Sequence, residues 1–473
     1  MEKTLAIALV LALAACASPA GKPVDLRAPG AAWETAPAAP GVDRKAMSKW
    51  WQGFNDQELN ELVEQALVAN PGLQAAAERV RESRANATVA SSALWPTINA
   101  TGSASRSKDL TRVPKPPILN ATQLGVSAAW ELDLFGGNAA GAESAERVAK
   151  ASAELERAAR VALAAEVAST LFAQRSLTAQ LKTQQASVAV SREVWRLAEA
   201  RYARGLATRF DVDRAESLTK TLEAQVPALE GEIKTLAYRL AVLAGSMPSG
   251  RAASAESLPE DLPAVPALLP SQWLDARPDL RAARERVEAA NASLSQAKAA
   301  YFPTFALAAS AGRSRVEFQG VPELSGNVFA LGIGLVQPIF NAGRIRAQAE
   351  GADARLGQAI AGYNGALLEA VAEVESAYVA FATASARRED LEQARGAALR
   401  ARDTARALYE RGLADYGVYL DAQRVHLAAE QSLIEVTARR AIALVALYRA
   451  FGGGIAPDDR VAVAGVSPHP IHH

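Results

Sequence analysis

Cysteine, histidine and methionine are scarce in this chain of 473 residues, which has one cysteine, four histidines and three methionines. One cysteine cannot form a disulfide framework or a CxxC metal or redox site. Three methionines are too few for the methionine clusters expected of a soft-metal relay. No metal site is therefore expected. The histidines are interpreted as incidental, one alone on a predicted helix and three in a tail that contains proline: His426, His469, His472 and His473.

The chain also lacks an excess of charge and any recognised catalytic motif. Its 51 basic residues balance its 51 acidic residues, which argues against a nucleic-acid partner. No GxSxG, HExxH or P-loop pattern is present, so no catalytic residue is proposed and the chain is not expected to be an enzyme. Aromatic residues make up only 6% while alanine is abundant, which favours long, closely packed helices over several globular cores.

The single cysteine follows a short apolar segment at the start of the chain. The run from Leu5 to Ala15 is too short to span a bilayer and ends in the box Leu13-Ala14-Ala15-Cys16. This pattern resembles a bacterial lipoprotein signal, in which Cys16 becomes the lipidated first residue of the mature chain. Ala17 follows it, which favours sorting to the outer membrane. No cofactor is expected, and the only attached group would be the covalent lipid on Cys16. The alternative is a plain signal peptide with an incidental cysteine.

A repeat of 207 residues runs through the chain. The phrase Arg-Gly-Leu-Ala begins at Arg204, within RYARGLATRFDVD, and again at Arg411, within LYERGLADYGVYLD. At the same offset, 12 of 31 positions are identical between the segments 70–100 and 277–307. A period this long does not fit a solenoid of short units and indicates an internal duplication.

Each repeat predicts a helix that stops at a proline, followed by two strands with alternating apolar and small or polar residues. The clearest alternation lies in QLGVSAAWELDL (123–134) and VFALGIGLVQ (328–337). Such strands fit the wall of a membrane β-barrel with a wet lumen, although an ordinary half-buried antiparallel sheet remains the alternative. Four strands cannot close a barrel, and open edges are not viable in lipid. The chain is therefore expected to oligomerise, with eight strands from two copies or twelve from three.

After each hairpin the pattern predicts a very long helix and a second helix that returns. Residues 138–204 contain no proline and no glycine beyond Gly141, which corresponds to a rod of about 100 Å. Gly205 and Gly412 stand where these helices end. The predicted organisation is a lipoprotein signal peptide (1–15), a lipid-anchored linker (16–48), a first repeat (49–245, hairpin about 97–134), an inter-repeat linker (246–272), a second repeat (273–452, hairpin about 304–339) and a flexible tail (453–473).

These motifs together resemble the TolC-type outer-membrane efflux proteins, in particular their NodT-like lipoprotein branch, which serves resistance-nodulation-division (RND) pumps. The resemblance rests on the lipoprotein box, the WWQGF-D-EL opening from Trp50 to Leu59, the two Pro-Thr strand starts, the FGG and FNAG turns and the two RGLA tips. It covers Cys16 to about Gly454.

The resemblance implies an α+β membrane protein that forms a homotrimer. Its twelve-stranded outer-membrane β-barrel, with four strands per chain, would continue into a long periplasmic α-helical barrel. The implied function is that of a passive duct, which meets a periplasmic adaptor protein fed by an inner-membrane RND transporter. The duct of a type I protein-secretion system is the alternative, and a purely structural coiled-coil lipoprotein is a more distant one.

The resemblance also places the residues around each tip at the constricted end of the duct. The pore or gate candidates are Asp211, Asp213, Asp421, Tyr409 and Arg411. Asp211 could equally cap its helix, because Thr208 and Asp211 form a capping-box pattern, and Asp415 is interpreted as an N-cap. Ala414 occupies the usual place of the family's second-tip arginine, so the latch partner stays open among Arg209, Arg411 and Arg424.

The tips themselves are the candidates for contact with the adaptor. The residues are Gly205, Leu206, Gly412 and Leu413, since glycine allows close backbone approach and an exposed leucine offers a small apolar knob. Alternatively, the leucines fold back as the hydrophobic contact that accompanies a glycine at a helix C-terminus.

Overall fold

The computed structural model describes residues 22–30, 33–34, 47, 49–108, 118–248, 257–266, 273–274, 276–318 and 322–453. Cys16, the signal-peptide segment and the three histidines of the tail lie outside the described residues. Part of the linker is described, and it contacts the helices beside it. The Lys22 ammonium lies 2.5 Å from a carboxylate oxygen of Asp353, and the Lys22 backbone N–H donates to the Asn291 side chain at 2.9 Å.

Helices make up most of the described chain, and from the helix that precedes the strands onward, the elements of the first half recur in the same order in the second half. The first half contains a 3-10 helix (Trp50–Phe54), α1 (Gln57–Ala69), α2 (Pro71–Ser92), β1 (Thr97–Lys108), β2 (Ile118–Leu132), α3 (Gly137–Ala203) and α4 (Arg209–Leu243). The second half contains α5 (Pro278–Ala299), β3 (Thr304–Phe318), β4 (Leu324–Val336), α6 (Arg344–Glu410) and α7 (Tyr416–Ala450). None of the described helices is both long and apolar enough to cross a membrane.

The lengths of these elements repeat with the offset found in the sequence. The long helices α3 and α6 each have 67 residues, and the return helices α4 and α7 each have 35. The short helices α2 and α5, which precede the strands, each have 22 residues. Similar periodicity and similar end signals in the two halves therefore produce matching local structure.

The described residues fall into two compact units, each built from both halves of the chain. The first unit lies within Met1–Arg27, Glu78–Ala153 and Ala282–Gly365, and it contains the sheet. The second lies within Ala28–Ala77, Glu154–Arg281 and Ala366–His473, and it contains both helical hairpins.

The sheet of the first unit has four antiparallel strands in the order β1-β2-β3-β4. Glycines allow the two central strands to approach closely, since a Cβ on Gly125 would lie 2.7 Å from the Ala311 carbonyl oxygen. The helices of this unit are joined by short polar contacts. Ser144 and Ser293 share a hydrogen bond of 2.8 Å, and Arg147 lies 3.3 Å from Glu285.

In the second unit the segment that opens with two tryptophans is bound firmly to the long helices. The Trp50 ring stacks on Tyr448 with centroids 5.4 Å apart. Asp56 accepts a hydrogen bond of 2.9 Å from the Leu59 N–H and so caps α1, and it also pairs with the buried guanidinium of Arg175. A charge removed from water in this way is tolerated only when it is paired.

Two glycines close the return helices against the start of the neighbouring short helices. Gly245 has φ +72°, and a Cβ there would lie 2.3 Å from the Ala69 carbonyl oxygen. Its counterpart Gly452 has φ +87°, and a Cβ would lie 2.7 Å from the Ala276 carbonyl oxygen. Only glycine combines the left-handed backbone with this close approach.

We predict that Gly245→Ala lowers the stability of the folded protein by at least about 2 kcal/mol, because it adds a Cβ clash to an unfavourable positive φ. Thermal unfolding in detergent, followed by circular dichroism, measures the change. The control is Gly231→Ala, since Gly231 lies inside α4 with no atom within 4 Å of an added Cβ. Alanine should stabilise that position by up to about 1 kcal/mol. Equal melting temperatures for the two variants would contradict the prediction.

Candidate functional site

The two faces of the sheet differ in chemistry. Residues that pair across antiparallel strands share a face, so the register assigns each side chain to one of two surfaces. One face carries exposed apolar side chains: Ile98, Leu124, Val126, Phe329, Leu331, Ile333 and Leu335. The other carries small or polar residues: Asn99, Thr101, Ser103, Ser127, Ser310, Gly332 and Gly334.

The outer strands of this sheet are paired on one side only. Within the described residues, β1 pairs only with β2, and β4 pairs only with β3. Each outer strand thus presents a row of backbone N–H and C=O groups that can hydrogen-bond to a further strand. The geometry suits addition of a strand at both edges.

Both helical hairpins turn through the same pattern of backbone hydrogen bonds. At the first tip (201–208), the Leu206 N–H donates to the Arg201 carbonyl and the Gly205 N–H donates to the Tyr202 carbonyl, both at 2.9 Å. The second tip (408–415) repeats these bonds, from Leu413 to Leu408 and from Gly412 to Tyr409, also at 2.9 Å. This is the Schellman arrangement. The positive φ of each glycine, +70° at Gly205 and +74° at Gly412, confirms the predicted helix ends.

The leucine of each tip points away from the protein. Leu206 is 67% exposed and Leu413 is 72% exposed. The alternative in which these leucines fold back onto their helices is therefore wrong for the described chain. Each tip instead offers an apolar side chain beside a glycine backbone, which suits contact with another protein.

Asp211 lies in a complete capping box at the start of α4. Its carboxylate accepts hydrogen bonds from the Thr208 backbone N–H (2.9 Å) and hydroxyl (2.8 Å), and its own N–H donates to the Thr208 side chain. The backbone bond from Thr208 is the main cause that lowers the pKa of the Asp211 carboxyl, and the bond from its hydroxyl adds to it. The capping interpretation is confirmed, and a gate role would have to act alongside it.

The other two acids form exposed pairs within their own helices. Asp213 accepts from Arg209 at 2.9 Å, and Asp421 accepts from Arg424 at 3.0 Å. Arg209 and Arg424 were both among the possible latch partners, whereas Arg411 is exposed at the second tip. Pairs of this kind are worth little in isolation, so their arginines remain available to other partners.

Tyr409 belongs to a buried aromatic cluster. Its ring lies 5.4 Å from that of Tyr416 and is stacked 6.3 Å from that of Tyr419. All four long helices of the second unit contribute to this core, with Val194 and Val212 among its members. Burial raises the pKa of Tyr416 and Tyr419, and among the described residues neither hydroxyl has a hydrogen-bond partner.

The two tips differ because equivalent positions of the two repeats carry different residues. Tyr202, the counterpart of Tyr409, is 46% exposed, whereas Tyr409 is 5% exposed. Arg209 and Val212 occupy the first-repeat positions of Tyr416 and Tyr419, so Tyr202 has no aromatic cluster to join. The first tip instead contacts the second, since the Arg201 guanidinium lies 5.0 Å from the centroid of the Tyr409 ring.

An open groove lies beside the second tip. Its volume is about 710 Å³. Small side chains and charged groups line it, among them Ala398, Ala401, Ala405, Ala422, Arg214 and Asp421. This groove does not appear in the sequence analysis, because its alanines come from α6 and α7 and its charges from α4 and α7.

Comparison with known proteins agrees with this geometry. The sequence profile of the outer membrane efflux protein family matches residues 62–246 and again residues 269–453, which together form most of the chain. The chain belongs to the outer membrane efflux protein family. The two matches begin 207 residues apart, the offset of the repeated elements.

Individual relatives cover almost the whole chain. The pyoverdine export outer membrane protein OpmQ of Pseudomonas aeruginosa is 32% identical over 97% of this chain and 98% of its own length. The structure of the outer-membrane channel OprN is 29% identical, with a TM-score of 0.83 over 92% of this chain and 99% of that one. The outer membrane protein VceC of Vibrio cholerae is 30% identical, with a TM-score of 0.78 over 86% of this chain and 99% of that one.

Membership of the outer membrane efflux family gives the chain its function and location. It is an outer-membrane component of an efflux pump, and its relatives are channel proteins rather than enzymes. The predicted family resemblance is therefore confirmed, as are the mixed helix and strand content and, within the described residues, the four strands.

Sequence reasoning missed two features of the site. The contact of Arg201 with Tyr409 joins residues far apart in the chain, and no local pattern indicates it. His426 is partly buried, burial lowers its pKa, and its Nδ1 has no hydrogen-bond partner among the described residues.

We predict that Asp211→Ala speeds amide hydrogen exchange in the first turn of α4 about fivefold at pH 7, because losing a cap costs about 1 kcal/mol. The folded-state pKa of Asp211 is lowered, so its stabilisation is present above the pKa of an unfolded aspartate, about 4. The stabilisation disappears as the pH falls through the folded-state pKa, and the difference between variant and wild type should narrow.

The matched control is Asp213→Ala, which removes only an exposed pair two residues away. Its effect on exchange should stay below about twofold. If Asp213→Ala and Asp211→Ala change exchange equally, the capping box does not stabilise this turn.

Proposed function

We propose that the protein is a homotrimeric duct of a tripartite RND efflux pump, through which exported small molecules pass without chemical change. The observation that carries the proposal is the sheet: it has an apolar face, a small or polar face and two unpaired edges. Membership of the outer membrane efflux family supports it. In lipid the two edges must pair with strands of further copies.

Three copies suit this sheet better than two. Eight strands would make a barrel whose interior side chains nearly fill, whereas twelve strands leave a wider lumen. The face assigned to the lumen carries glycine, serine and alanine at Gly332, Ser310 and Ala330, which widens the passage further. The four long helices of each chain would form a periplasmic α-helical barrel of twelve helices.

An internal duplication accounts for the repeated architecture. The family profile matches twice, and the paired elements have equal lengths at the same offset. Each copy of the ancestral unit would supply one β-hairpin and one helical hairpin. A trimer would then carry six helical tips in two alternating kinds around its periplasmic mouth.

The duct acts passively and takes its specificity from the pump that supplies it. No bond is made or broken, and no catalytic residue is assigned. Relatives of similar sequence are named for pyoverdine export, toluene efflux and cation efflux. Such different cargoes indicate that the outer-membrane component does not select among them. A periplasmic adaptor protein and an inner-membrane RND transporter are the partners this function requires.

Cys16 is the proposed site of lipid attachment, and the signal peptide would be removed before it. An acyl chain contributes about 0.8 kcal/mol per buried methylene, so the lipid would hold the mature N-terminus at the membrane surface. The mass of the N-terminal peptide of the mature protein tests the assignment, because an unmodified Cys16 would exclude it.

The acids of the two tips are the proposed gate. Three copies each of Asp211, Asp213 and Asp421 would form rings around the narrow end, where focused negative potential favours cations. Tyr409 and Arg411 belong to the same end, with Tyr409 holding the helices together from inside the buried cluster. Arg209 and Arg424 already contact these acids and could link neighbouring hairpins, as a latch requires.

We predict that replacing Asp211 and Asp421 together by alanine raises single-channel conductance in planar bilayers and lowers selectivity for cations. The substitution removes two of the three proposed acid rings and also the acid that pairs with Arg424, one of the proposed latch residues. Recordings on purified trimers measure both quantities. The control is the pair Glu230→Ala and Glu232→Ala, two exposed acids further along α4. Unchanged conductance in the test variant would rule out these acids as the gate.

Contact with the adaptor is assigned to Gly205, Leu206, Gly412 and Leu413. The two leucines are exposed beside glycines whose positive φ turns the backbone outward. Small apolar knobs of this kind fit pockets on a partner, and burial of one leucine contributes about 2 kcal/mol. The groove beside the second tip lies close enough to extend the same contact.

We predict that Leu206→Glu combined with Leu413→Glu abolishes efflux while leaving the trimer and its channel intact. A buried charge without a partner weakens the contact with the adaptor by several kcal/mol. Susceptibility to pump substrates, in cells that express the adaptor and pump together with each variant, is the measurement. The control is Met247→Glu, which adds a charge at an apolar residue that is 86% exposed. Retained efflux in the double variant would refute the tip assignment.

A further inference from the structure

The apolar face of the sheet changes character part-way along the strands. From the row that pairs Phe305 with Leu335, apolar side chains continue to the row that pairs Ala311 with Phe329. In the next row on this face Arg313 pairs with Asn327, and beyond it β3 and β4 carry polar residues on this side. The boundary is abrupt, and it falls within the regular hydrogen-bonded ladder rather than in the connections between strands.

Basic residues dominate the polar end of this face. The register places Arg106, Lys108, Arg313 and Arg315 on the same side of the sheet as the apolar residues Leu124 and Phe329. All four basic side chains are exposed. Two acids accompany them. Glu323 pairs with Arg315 at 2.6 Å, and Glu317 lies 3.4 Å from the amide nitrogen of Asn120.

Three of these basic groups have no counter-charge among the residues that the structure describes. Among the described residues, Arg106, Lys108 and Arg313 form no ion pair. Arg106 and Lys108 are two residues apart on β1, as are Arg313 and Arg315 on β3, so the members of each pair are only about 7 Å apart along their strand. Like charges at this spacing repel one another and lower the stability of the sheet unless an anion lies between them.

The opposite end of the apolar face has a different border. Exposed aromatic residues stand where the strands meet the helices, namely Trp95, Trp130, Tyr301 and Phe340. The Trp130 indole donates to the Leu94 carbonyl at 3.0 Å, which fixes its ring at this level. Tryptophan and tyrosine prefer the interface between lipid and water.

The spacing of the two borders matches a bilayer. Phe305 and Arg313 are eight residues apart on β3, or about 26 Å along an extended strand. With the usual strand tilt of about 40°, the apolar band is about 20 Å tall, close to the value of about 25 Å for outer-membrane barrels. The basic residues then lie at the level of the headgroups of the outer leaflet.

We propose that Arg106, Lys108, Arg313 and Arg315 form a binding surface for the phosphate groups of the phosphorylated glycolipid of the outer leaflet, lipid A. The proposal rests on the proposed function, because it requires the strands to cross the outer membrane with their connections outermost. Arginine forks hold phosphate oxygens in pairs, and Lys108 adds a point charge. The anion relieves the repulsion among the basic residues, and the trimer carries three such surfaces.

The test is a titration of the purified full-length trimer, in nonionic detergent, with fluorescently labelled diphosphoryl lipid A. The variant Arg106→Gln, Lys108→Gln, Arg313→Gln should bind on the order of 100-fold more weakly, since each basic residue near an anionic surface contributes about fivefold. The matched control Arg81→Gln, Lys234→Gln, Arg346→Gln removes three exposed charges from helices and should bind within about twofold of wild type. Binding by wild type should also weaken as salt is raised.

Two further measurements complete the test. Binding of other lipids identifies the source of the phosphate, and a charge-retaining variant controls for misfolding. Dephosphorylated lipid A and phosphatidylglycerol should bind wild type as weakly as diphosphoryl lipid A binds the triple variant. The charge-retaining variant Arg106→Lys, Arg313→Lys should keep most of the affinity. Equal binding of phosphatidylglycerol, or unchanged binding of lipid A by the triple variant, would overturn the proposal.

Channel recordings separate this proposal from the proposed function. The four basic residues face away from the lumen, so the triple variant should form channels of wild-type conductance. A wild-type protein that forms no trimers and no channels would contradict the proposed function. Normal channels combined with unchanged lipid binding in the triple variant would contradict the lipid surface alone.

Discussion

Backbone hydrogen bonding at the two edges of the sheet is the constraint on which the rest of the molecule depends. β1 and β4 each leave one row of N–H and C=O groups without a partner inside the described chain. In water such edges are a hazard, and in hydrocarbon each unsatisfied group costs several kcal/mol. A chain with four amphipathic strands is therefore incomplete alone. In the proposed trimer, strands of neighbouring copies would pair with both edges and close a barrel around the duct.

The two halves of the chain share one arrangement of elements from α2 onward, but the residues around their helical tips differ. Both helical tips keep the glycine and the exposed leucine, because the turn and the apolar knob depend on local backbone geometry. The surroundings have diverged. The first tip has a polar capping box at Asp211, whereas the second has the buried cluster around Tyr409. In a trimer this difference reduces six similar hairpins to threefold symmetry, and it allows the two kinds to move unequally.

The strands carry two kinds of pattern: alternation between the two sides of the sheet, and a change of composition along one side. Alternation assigns residues 124–132 of β2 and 329–335 of β4 to an apolar side and a small or polar side. Composition then varies along the apolar side, from aromatic residues at the helical end, through aliphatic residues, to Arg106 and Arg313 at the other end. In the proposed barrel, the same sheet would set the side that meets lipid, the depth of insertion and the chemistry at the level of the headgroups.

Local signals in the sequence were sufficient for the elements and their ends. The helix expected before the first pair of strands is Pro71–Ser92, and the return helix expected after the first tip is Arg209–Leu243. Prolines, glycine C-caps and the Thr208 N-cap act within a few residues, so they can be recognised without a fold. The family resemblance rests on the same kind of short motif.

Only the tertiary structure decided which side chains meet. Whether Tyr409 is buried, what contacts Arg201 and which residues line the alanine groove all depend on segments about 200 residues apart. Periodicity shows that a face is apolar or polar, but not which other face packs against it. Which faces pack together depends on all four long helices at once. The burial and the pKa of each tip residue follow from that packing.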